Sequence, residues 1–474
     1  MTILPLHPAE NASPDALRSF VEQCREIAVK RGRPQLVSIS LAVDALDPLA
    51  VLESIFEPTE PHFYAERPNA ETAIAGAEVA TKFEARGPSR FIAARDWIAA
   101  TLENTIAVGD VAAPFGGPHF FGAFAFADEA EPGEPFPAAT VFVPRWQVAL
   151  AGSTTTAVAN FVITANAPVD AIADRVWRAH AKFNRFDYAT ANAGTAKARH
   201  DSGGFRAVEV GDYRTAVSRG LQRIAGGEFQ KIVLARAQDI EAQRAFHPLE
   251  MLNGLRQRFP DCYAFSFTGG TGPSFIGATP ERLVRVSKRV METAALAGST
   301  ARGVGAAEDA ALAGGLLQSE KDRREHQQVV DDIIARLAGL GVQPKHASQP
   351  QIRRLANVQH LQTAISAELP EIVSILDVVS ALHPTPAVGG NPRAAAVPAI
   401  RELEGFPRGL YAGALGWINA RGGGEFFVGI RSALVTGAHA RVYAGAGIVA
   451  GSEPEKEFAE TELKFRAMLD AFGL

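Results

Sequence analysis

Apolar residues recur with helical spacing in some stretches of this chain and alternate with polar residues in others. The stretch that begins at Ser13 and Pro14 keeps helical spacing to about Lys30 and stops before Gly32. We predict a helix there, because serine at the N-cap, proline in the first turn and glycine after the last turn are typical helix boundaries. The alternation over Gln35–Leu46 predicts a strand.

The same two patterns predict most of the remaining elements. Helical spacing is found over Ser89–Val108, Val208–Ala225, Pro248–Phe259 and, with an interruption at Gly314–Gly315, Glu308–Leu340. Strand patterns are found over His119–Asp128, Thr140–Val143, Trp146–Thr164, Glu228–Ile240, Tyr263–Thr268, Ser274–Gly277, Arg282–Val286, Leu361–Leu369, Gly409–Trp417, Glu425–Leu434 and Arg441–Val449. Thr72–Ala85 is predicted to be a strand followed by a helix. Helices that alternate with hairpin-like strands predict an α+β fold with mainly antiparallel sheets.

Composition narrows the class of protein. The 474 residues are 47% hydrophobic and 21% charged, which is typical of a globular protein with a sizeable core. The net charge of −5 and the lack of a long basic run argue against a nucleic-acid-binding surface. Cys24 and Cys262 are too far apart for a paired-cysteine motif, and no run of 18 apolar residues predicts a membrane span. We therefore expect a cytoplasmic protein.

Candidate chemistry is concentrated near the C-terminus. A turn is predicted at Gly445, and the helix that follows places Glu457, Glu460 and Lys464 on one face with i, i+3 and i+7 spacing. Two carboxylates and an ammonium group on one face, just after a glycine turn, suit a cation together with an anionic ligand. The alternative is a solvated helix face with a Glu460–Lys464 ion pair.

A second acidic pair has the same spacing. Asp322 and Glu325 lie three residues apart on a helix that is predicted to begin near Ser319. Two helices that each present carboxylates at i and i+3 would together form an oxygen-ligand site for Mg²⁺. The spacing leaves open the alternative that both pairs are ordinary surface charge.

Lys231 and Glu281 are candidates for acid–base chemistry. Lys231 lies in the apolar strand pattern FQKIVLAR, where burial favours the neutral amine of a general base, although an edge-strand lysine can also extend to water. Glu281 follows Pro280 at a predicted turn, where a carboxyl group with a raised pKa can act as a general acid. An ordinary solvated turn residue is the alternative. Sequence spacing does not show whether the two side chains are close.

Other residues are candidates for binding an anion. The small-residue turn Leu296–Thr300 offers backbone N–H groups, and Arg431 in the apolar pattern FFVGIRSA can form a forked contact with a carboxylate. His360 is a lone histidine, a kind of residue that is usually structural. The chain has no Ser-His-Asp pattern, no HExxH motif, no P-loop and no GxGxxG placed between a strand and a helix.

Several of these residues lie in motifs that resemble those of the chorismate-utilising enzymes. The motifs occur in the order KIVLAR, GATPERLV, LAGSTARG, SEKDRREH, VQHL, ALHPTPAVGG, GIRSA, YAGAGIV and EKEFAETELK, and they span Phe205–Leu474. Within that family, which includes anthranilate synthase component I, they are most similar to the isochorismate synthases. Lys231 resembles the lysine that activates water in the isochorismate and salicylate enzymes and that the ammonia-using relatives lack.

The resemblance implies a reversible, Mg²⁺-dependent conversion of chorismate to isochorismate. Lys231 would activate water for attack at C2, and Glu281 would protonate the departing C4 hydroxyl. The implied metal ligands are Glu325 and Glu460, supported by Asp322 and Glu457. The implied substrate-binding residues are Gly298, Ser299, His360, Ala381, Leu382, Arg431, Tyr443, Gly445 and Lys464. Salicylate synthase, which goes on to eliminate pyruvate, is the alternative activity, and Ala381 and Leu382 are expected to discriminate against it.

The resemblance also implies an architecture and a set of partners. Two large, mainly antiparallel sheets would pack together with helices outside. Residues 1–204 would be the scaffold half of this one large domain and residues 205–474 its catalytic region, with Tyr188–Phe205 as a connecting loop. The protein would be a monomer without an amidotransferase subunit, and its product would feed menaquinone or a siderophore. A catalytically inactive metal-binding relative is an alternative of a different class, and the intact Lys231 and Glu281 argue against it.

Overall fold

The structure is a computed structural model that describes residues 1–3, 13–55, 59–184, 204–270, 272–354 and 358–470. Within these ranges the chain forms two large sheets, one of fourteen strands and one of ten. All pairings are antiparallel except those of Thr105–Gly109, which runs parallel to Thr2–Ile3 and to Gln35–Val43. The predicted α+β fold with two large, mainly antiparallel sheets is therefore confirmed.

The larger sheet contains the strand that begins at Lys231. Its strands lie in the order Thr2–Ile3, Thr105–Gly109, Gln35–Val43, Thr154–Ile163, Trp146–Ala151, Thr72–Ala77, His62–Arg67, Tyr263–Thr268, Ser274–Thr279, Ser432–Thr436, His439–Val449, Lys231–Ala242 and Phe205–Val210. The short strand Gly390–Asn391 also pairs with Lys231–Ala242.

The smaller sheet contains the strand Val290–Ala301, in which the segment Leu296–Thr300 forms a bulge rather than the predicted turn. Its strands lie in the order Lys345–His346, Val358–Glu368, Val290–Ala301, Arg282–Ser287, Gly424–Val428, Ala414–Asn419, His119–Phe124, Ala139–Val143 and Thr81–Ala85. The strand Gln351–Arg354 also pairs with Val358–Glu368.

Aromatic side chains pack the two sheets against each other. Phe63 of the larger sheet stacks on Phe121 of the smaller one, with ring centroids 4.7 Å apart, and Phe265 packs against Phe427 at 5.1 Å. Each of these buried rings contributes about 2–3 kcal/mol through removal of apolar surface from water. Both sheets contain strands from residues 1–204 and from residues 205–474. The functional division at residue 205 stays a prediction.

The described helices lie at Pro14–Arg31, Pro48–Ile55, Arg90–Glu103, Val169–Asn184, Tyr213–Ala225, Pro248–Arg258, Ala306–Gln318, Glu320–Ala338, Ile375–Leu382, Arg393–Glu404 and Pro454–Leu469, with a 3₁₀ turn at Pro68–Ala70. The first helix confirms the predicted boundaries, since the Ser13 hydroxyl accepts the N–H of Ala16 and Gly32 is left-handed. In the parts of the chain that the structure describes, no helix has the length and apolarity needed to cross a membrane.

Some predicted elements were wrong. Thr72–Ala85 forms two strands rather than a strand and a helix, and the helix predicted over Ser89–Val108 ends at Glu103, before the strand Thr105–Gly109. The predicted helix at Val208 is preceded by a strand that extends to Val210. In each case sheet pairing overrides the local helical pattern.

The long helical pattern that was predicted to be interrupted at Gly314–Gly315 is interrupted at Ser319 instead. Ser319 has extended backbone dihedrals, and its hydroxyl accepts the N–H of Asp322, so it is the N-cap of the second helix. This cap fixes the start of the helix that carries Asp322 and Glu325. Most of the predicted connecting loop, residues 188–203, lies outside the described residues.

Candidate active site

One cavity brings together residues from both sheets and from two helices. Its volume is about 320 Å³, and all of its lining residues lie between Lys231 and Lys464. The predicted residues that line it are Lys231, Glu281, Gly298, Ser299, Asp322, Glu325, His360, Arg431, Tyr443, Gly445, Glu457, Glu460 and Lys464. Ala381 and Leu382 are the two predicted residues that do not line it.

Lys231 lies at the start of its strand, which pairs with Gly390–Asn391 on one side and with His439–Val449 on the other. Its side chain is nearly buried, and its Nζ donates a hydrogen bond to Glu325 Oε1 at 2.7 Å. The glycine at position 447 makes room for it, because a Cβ there would lie 3.0 Å from Lys231 Cε. Lys231, predicted from the sequence to be a neutral base, therefore forms an ion pair with Glu325 in this structure.

Glu281 lies at the turn between two strands, and its backbone N–H donates to Thr279 Oγ1. Burial of its carboxyl group raises its pKa to about 7. The hydroxyl of Thr385 and the positive charges of Lys231 and Arg431 act against this shift but do not cancel it. A substantial fraction of Glu281 is thus protonated at neutral pH.

A bulge in the strand Val290–Ala301 opens backbone groups toward the cavity. The register with the neighbouring strand shifts between Ala297 and Ser299, and Gly298 between them has a φ of 75°. A Cβ at Gly298 would lie 3.2 Å from Asp322 Cβ, so glycine suits both the conformation and the close approach of the helix. The N–H groups at this bulge are suited to a carboxylate.

His360 supports this bulge rather than carrying a charge. Its Nδ1 lies 2.7 Å from Ser299 Oγ, which fixes both side chains. Burial, together with the positive charges of Arg431, Lys464 and Arg353, lowers the pKa of His360 to about 4. His360 is therefore neutral at physiological pH, and three cations surround it.

Arg431 has a left-handed backbone with a φ of 48°, a conformation that costs about 1–2 kcal/mol in a residue with a Cβ. Its carbonyl accepts the N–H of Ala278 at 3.0 Å. Burial lowers the pKa of its guanidinium group, which forms no hydrogen bond or ion pair with another described side chain. A buried guanidinium without a carboxylate partner is suited to an anionic ligand.

The strand His439–Val449 completes the other wall. Tyr443 is buried and stacks on Tyr411 with ring centroids 4.9 Å apart. A Cβ at Gly445 would lie 2.8 Å from the Tyr411 hydroxyl, so glycine is needed for this packing. Lys464 donates to the Gly445 carbonyl at 2.7 Å and to Glu460 Oε1 at 2.8 Å. The C-terminal helix is thereby attached to the strand at Gly445. The turn predicted at Gly445 was wrong, because this residue lies within the strand His439–Val449 and pairs with Ala235.

Four carboxylates line one side of the cavity, and their oxygens are the donors that Mg²⁺ prefers. Glu325 and Glu460 are paired with Lys231 and Lys464, and Asp322 bonds to the Ser319 hydroxyl. Burial raises the pKa of Glu457, and the charge of Glu460 raises it further, although a Ser452 hydrogen bond opposes the change.

A cation would relieve this concentration of negative charge, so the donor set fits a divalent ion in its chemistry. Across the ranges that the structure describes, no three histidine, cysteine or carboxylate side chains already converge as metal ligands. Metal binding would therefore require side-chain rearrangement of the lysine-paired glutamates.

The prediction for Ala381 and Leu382 identified the right motif but the wrong residues. Leu382 is the buried end of the helix Ile375–Leu382, and the Ala381 carbonyl accepts hydrogen bonds from Arg336 and Arg393. The chain reaches the cavity at the turn Thr385–Val388, so Ala387 and Val388 line it instead.

Several residues that line the cavity were not predicted from the sequence. These are Lys321, Arg353, Tyr411 and Ser452, together with apolar wall residues such as Val233. Lys321 lies beside Asp322 in the SEKDRREH motif, which was a usable signal. Tyr411 and Arg353 lie in no motif, and only the folded sheet brings them to the cavity.

Known proteins are similar to this chain over most of its length. The family model described as chorismate binding enzyme matches residues 19–473. The chain is 35% identical over 466 residues to the salicylate biosynthesis isochorismate synthase of Pseudomonas aeruginosa, covering 97% of this chain and 94% of that protein. It is 32% identical to isochorismate synthase MenF of Bacillus subtilis, covering 75% of each.

A solved structure with the same fold is that of MenF, the menaquinone-specific isochorismate synthase from Escherichia coli. The TM-score is 0.76 with 26% identity, and the match covers 95% of this chain and 99% of that one.

Proposed function

Since this chain belongs to the family of chorismate-binding enzymes, we propose that it is an isochorismate synthase, which interconverts chorismate and isochorismate. The observation that carries the proposal is that Lys231 and Glu281 open into one cavity, where burial raises the pKa of Glu281 to about 7. A base for water and a proton donor for a leaving hydroxyl are what this isomerisation needs. The names of relatives that match most of the chain support the same activity.

In the proposed reaction Lys231 takes a proton from a water molecule whose oxygen bonds to C2 of the ring. The ring double bonds shift, the C4–O bond breaks, and Glu281 gives its proton to the departing hydroxyl, which leaves as water. One water enters and one leaves, so chorismate and isochorismate are isomers. Each of the two proton transfers would contribute about 10²- to 10⁴-fold in rate.

Both substrate carboxylates have proposed partners. The backbone N–H groups at Gly298 and Ser299 and the ammonium group of Lys464 would bind the ring carboxylate. Arg431 would bind the enolpyruvyl carboxylate, with Tyr443 and Gly445 of the neighbouring strand beside it. Support for this division comes from the position of each group on the wall of the same cavity.

Mg²⁺ is the proposed cofactor, with Glu325 and Glu460 as ligands and Asp322 and Glu457 in support. When bound, the ion would neutralise the ring carboxylate and hold it in place. Glu325 and Glu460 would exchange their lysine partners for the ion, which frees Lys231 for the reacting water. Titration of the substrate-free protein with Mg²⁺ in a calorimeter tests this assignment, since Glu460→Gln should weaken binding at least about tenfold. Unchanged Mg²⁺ affinity would remove Glu460 from the ligand set.

Product analysis tests the activity itself. The purified protein is incubated with chorismate and Mg²⁺, and the ring products are separated and identified by NMR. The expected result is isochorismate, and the same final mixture should form when the reaction starts from isochorismate. Salicylate formed without an added lyase would instead support salicylate synthase. Added ammonium should leave the products unchanged, in keeping with the expectation that no amidotransferase subunit is needed.

A further inference from the structure

Arg353 is a cavity residue for which neither the sequence motifs nor the proposed mechanism has a role. It lies on the strand Gln351–Arg354, directly opposite His360 in the register with Val358–Glu368. Its side chain is part-buried and lines the same cavity as Arg431. Two guanidinium groups therefore line the cavity that His360 also lines, and the positive charge of each disfavours protonation of His360.

No anionic protein group neutralises Arg353. Within the described ranges it forms no hydrogen bond and no ion pair, and the charges that act on it most strongly after burial include those of Arg67 and Arg282. The acidic groups that act on the pKa of Arg353 are the thiol of Cys262 and the phenol of Tyr263. Burial raises the pKa of both groups above its usual value, so both are uncharged at neutral pH.

The next residue shows how an ordinary surface arginine behaves on this strand. Arg354 is exposed, and its Nε lies 3.4 Å from Asp309 Oδ2. The strand alternation places Arg353 and Arg354 on opposite faces, so one arginine is paired at the surface and the other is unpaired in the cavity. An unpaired guanidinium among like charges is unfavourable until an anion binds to it.

We infer that Arg353 is a substrate-binding residue that acts together with Arg431 on the enolpyruvyl carboxylate, so that the cavity selects ligands with two carboxylates. This inference deepens the proposed function and rests on it for the identity of the substrate. Lys464 and the Gly298 bulge remain the partners of the ring carboxylate. The fixed fork of a guanidinium suits a carboxylate, so a lysine at position 353 would replace the charge but not the geometry.

Substitution of Arg353 tests the inference, with Arg354→Gln as a matched control on the same strand. Loss of a charge-assisted contact should raise the KM and the equilibrium Kd for chorismate about 10- to 100-fold in Arg353→Gln, with kcat within about twofold of wild type. Arg353→Lys should recover part of the affinity and serves as the second variant if the glutamine protein folds poorly. Arg354→Gln should bind chorismate like wild type.

Benzoate, a ring with a single carboxylate, separates the two carboxylate sites. Its inhibition constant should be unchanged in Arg353→Gln, because the enolpyruvyl carboxylate is the group that Arg353 binds. An unchanged Kd for chorismate in Arg353→Gln, or an equal loss of benzoate binding, would overturn the inference. If the wild-type protein binds chorismate but forms no isochorismate, the proposed function fails, whereas weaker chorismate binding in Arg353→Gln still supports the role of Arg353.

Discussion

Two buried ion pairs lie next to the strand Lys231–Ala242, and they differ in how completely their polar atoms are occupied. In the first pair the side chains of Arg408 and Glu404 are 3% and 0% exposed. Arg408 donates from Nε to Glu404 and from its two terminal nitrogens to the carbonyls of Val388 and Val233, and Glu404 also accepts the N–H of Ala235. Counting a second bond to Glu404, four of the five N–H groups of Arg408 are bonded within the described part of the chain.

The second pair consists of Lys231 and Glu325, and we call it the open pair because Lys231 keeps hydrogen-bond donors without a partner among the described residues. The side chains of Lys231 and Glu325 are 9% and 24% exposed, and among the described residues Lys231 Nζ has one hydrogen-bond partner although it has three protons to donate. Both pairs touch the cavity wall, since Arg408 holds Val233 and Val388, which line it. The comparison indicates that a buried pair with nearly all of its donors bonded shapes the wall, whereas a pair with one bonded donor of three retains the capacity to react.

The largest expected effect is on catalysis, at the open pair. Lys231→Ala should reduce the kcat for isochorismate formation about 10²- to 10⁴-fold, because it removes the base that activates water. Its free energy of unfolding in urea should change little, since Glu325 keeps access to water. A Lys231→Ala protein with nearly wild-type kcat would show that the open pair has no catalytic part.

The next largest effect is expected on stability, at the buried pair of Arg408 and Glu404. Arg408→Met should reduce the free energy of unfolding by about 3–5 kcal/mol, because it leaves the carboxylate of Glu404 buried without a cation. The double variant Arg408→Met, Glu404→Leu should recover much of this loss, since the uncompensated charge is gone. A loss below about 1 kcal/mol in the single variant would mean that the two pairs do not differ as described.

A smaller, pH-dependent effect is expected at Glu281, across the cavity from the open pair. The folded-state pKa is raised from 4.5 to about 7, so the folded protein favours the protonated carboxyl group. The stabilising contribution of this group is complete below pH 4.5 and is lost as the pH rises through 7. Glu281→Gln should therefore be more stable than wild type at pH 8, by about 1–3 kcal/mol, and not at pH 4.

The pH dependence of the wild-type reaction rate is a second test of the protonation of Glu281. The rate of conversion of chorismate should fall as the pH rises above about 7, because the proton that Glu281 donates is lost. A rate that stays constant from pH 6 to pH 9, or a Glu281→Gln protein with no gain in stability at pH 8, would contradict the assignment of a buried, protonated Glu281.

Local signals in the sequence predicted local structure well. Ser13 and Gly32 mark the ends of the first helix because caps and left-handed glycines are determined by a few neighbouring residues. The motifs also indicated correctly that Lys231, Glu281 and the two acidic helices would meet at one cavity. That outcome came from the family resemblance, since spacing along the chain contains no information on their proximity.

The errors arose where sheet pairing decides the outcome. The alanine-rich segment Thr72–Ala85 has weak local preference, and pairing with neighbouring strands makes both of its parts strands. In the ALHPTPAVGG motif the choice between Ala381 and Ala387 depends on where the chain turns after the helix, which the motif alone does not show. Arg353 could not be found from the sequence because it reaches the cavity only through its pairing with the strand of His360.

Isotope incorporation tests the central claim most directly, namely that the open pair delivers a solvent water to the ring. Chorismate is converted in ¹⁸O-enriched water, and isochorismate is collected early in the reaction and examined by mass spectrometry and NMR. The account predicts one ¹⁸O atom in each isochorismate molecule, in the C2 hydroxyl group, and formation of this product about 10²- to 10⁴-fold more slowly by Lys231→Ala. Isochorismate whose C2 hydroxyl carries no label would contradict the account, since its oxygen would have come from the substrate.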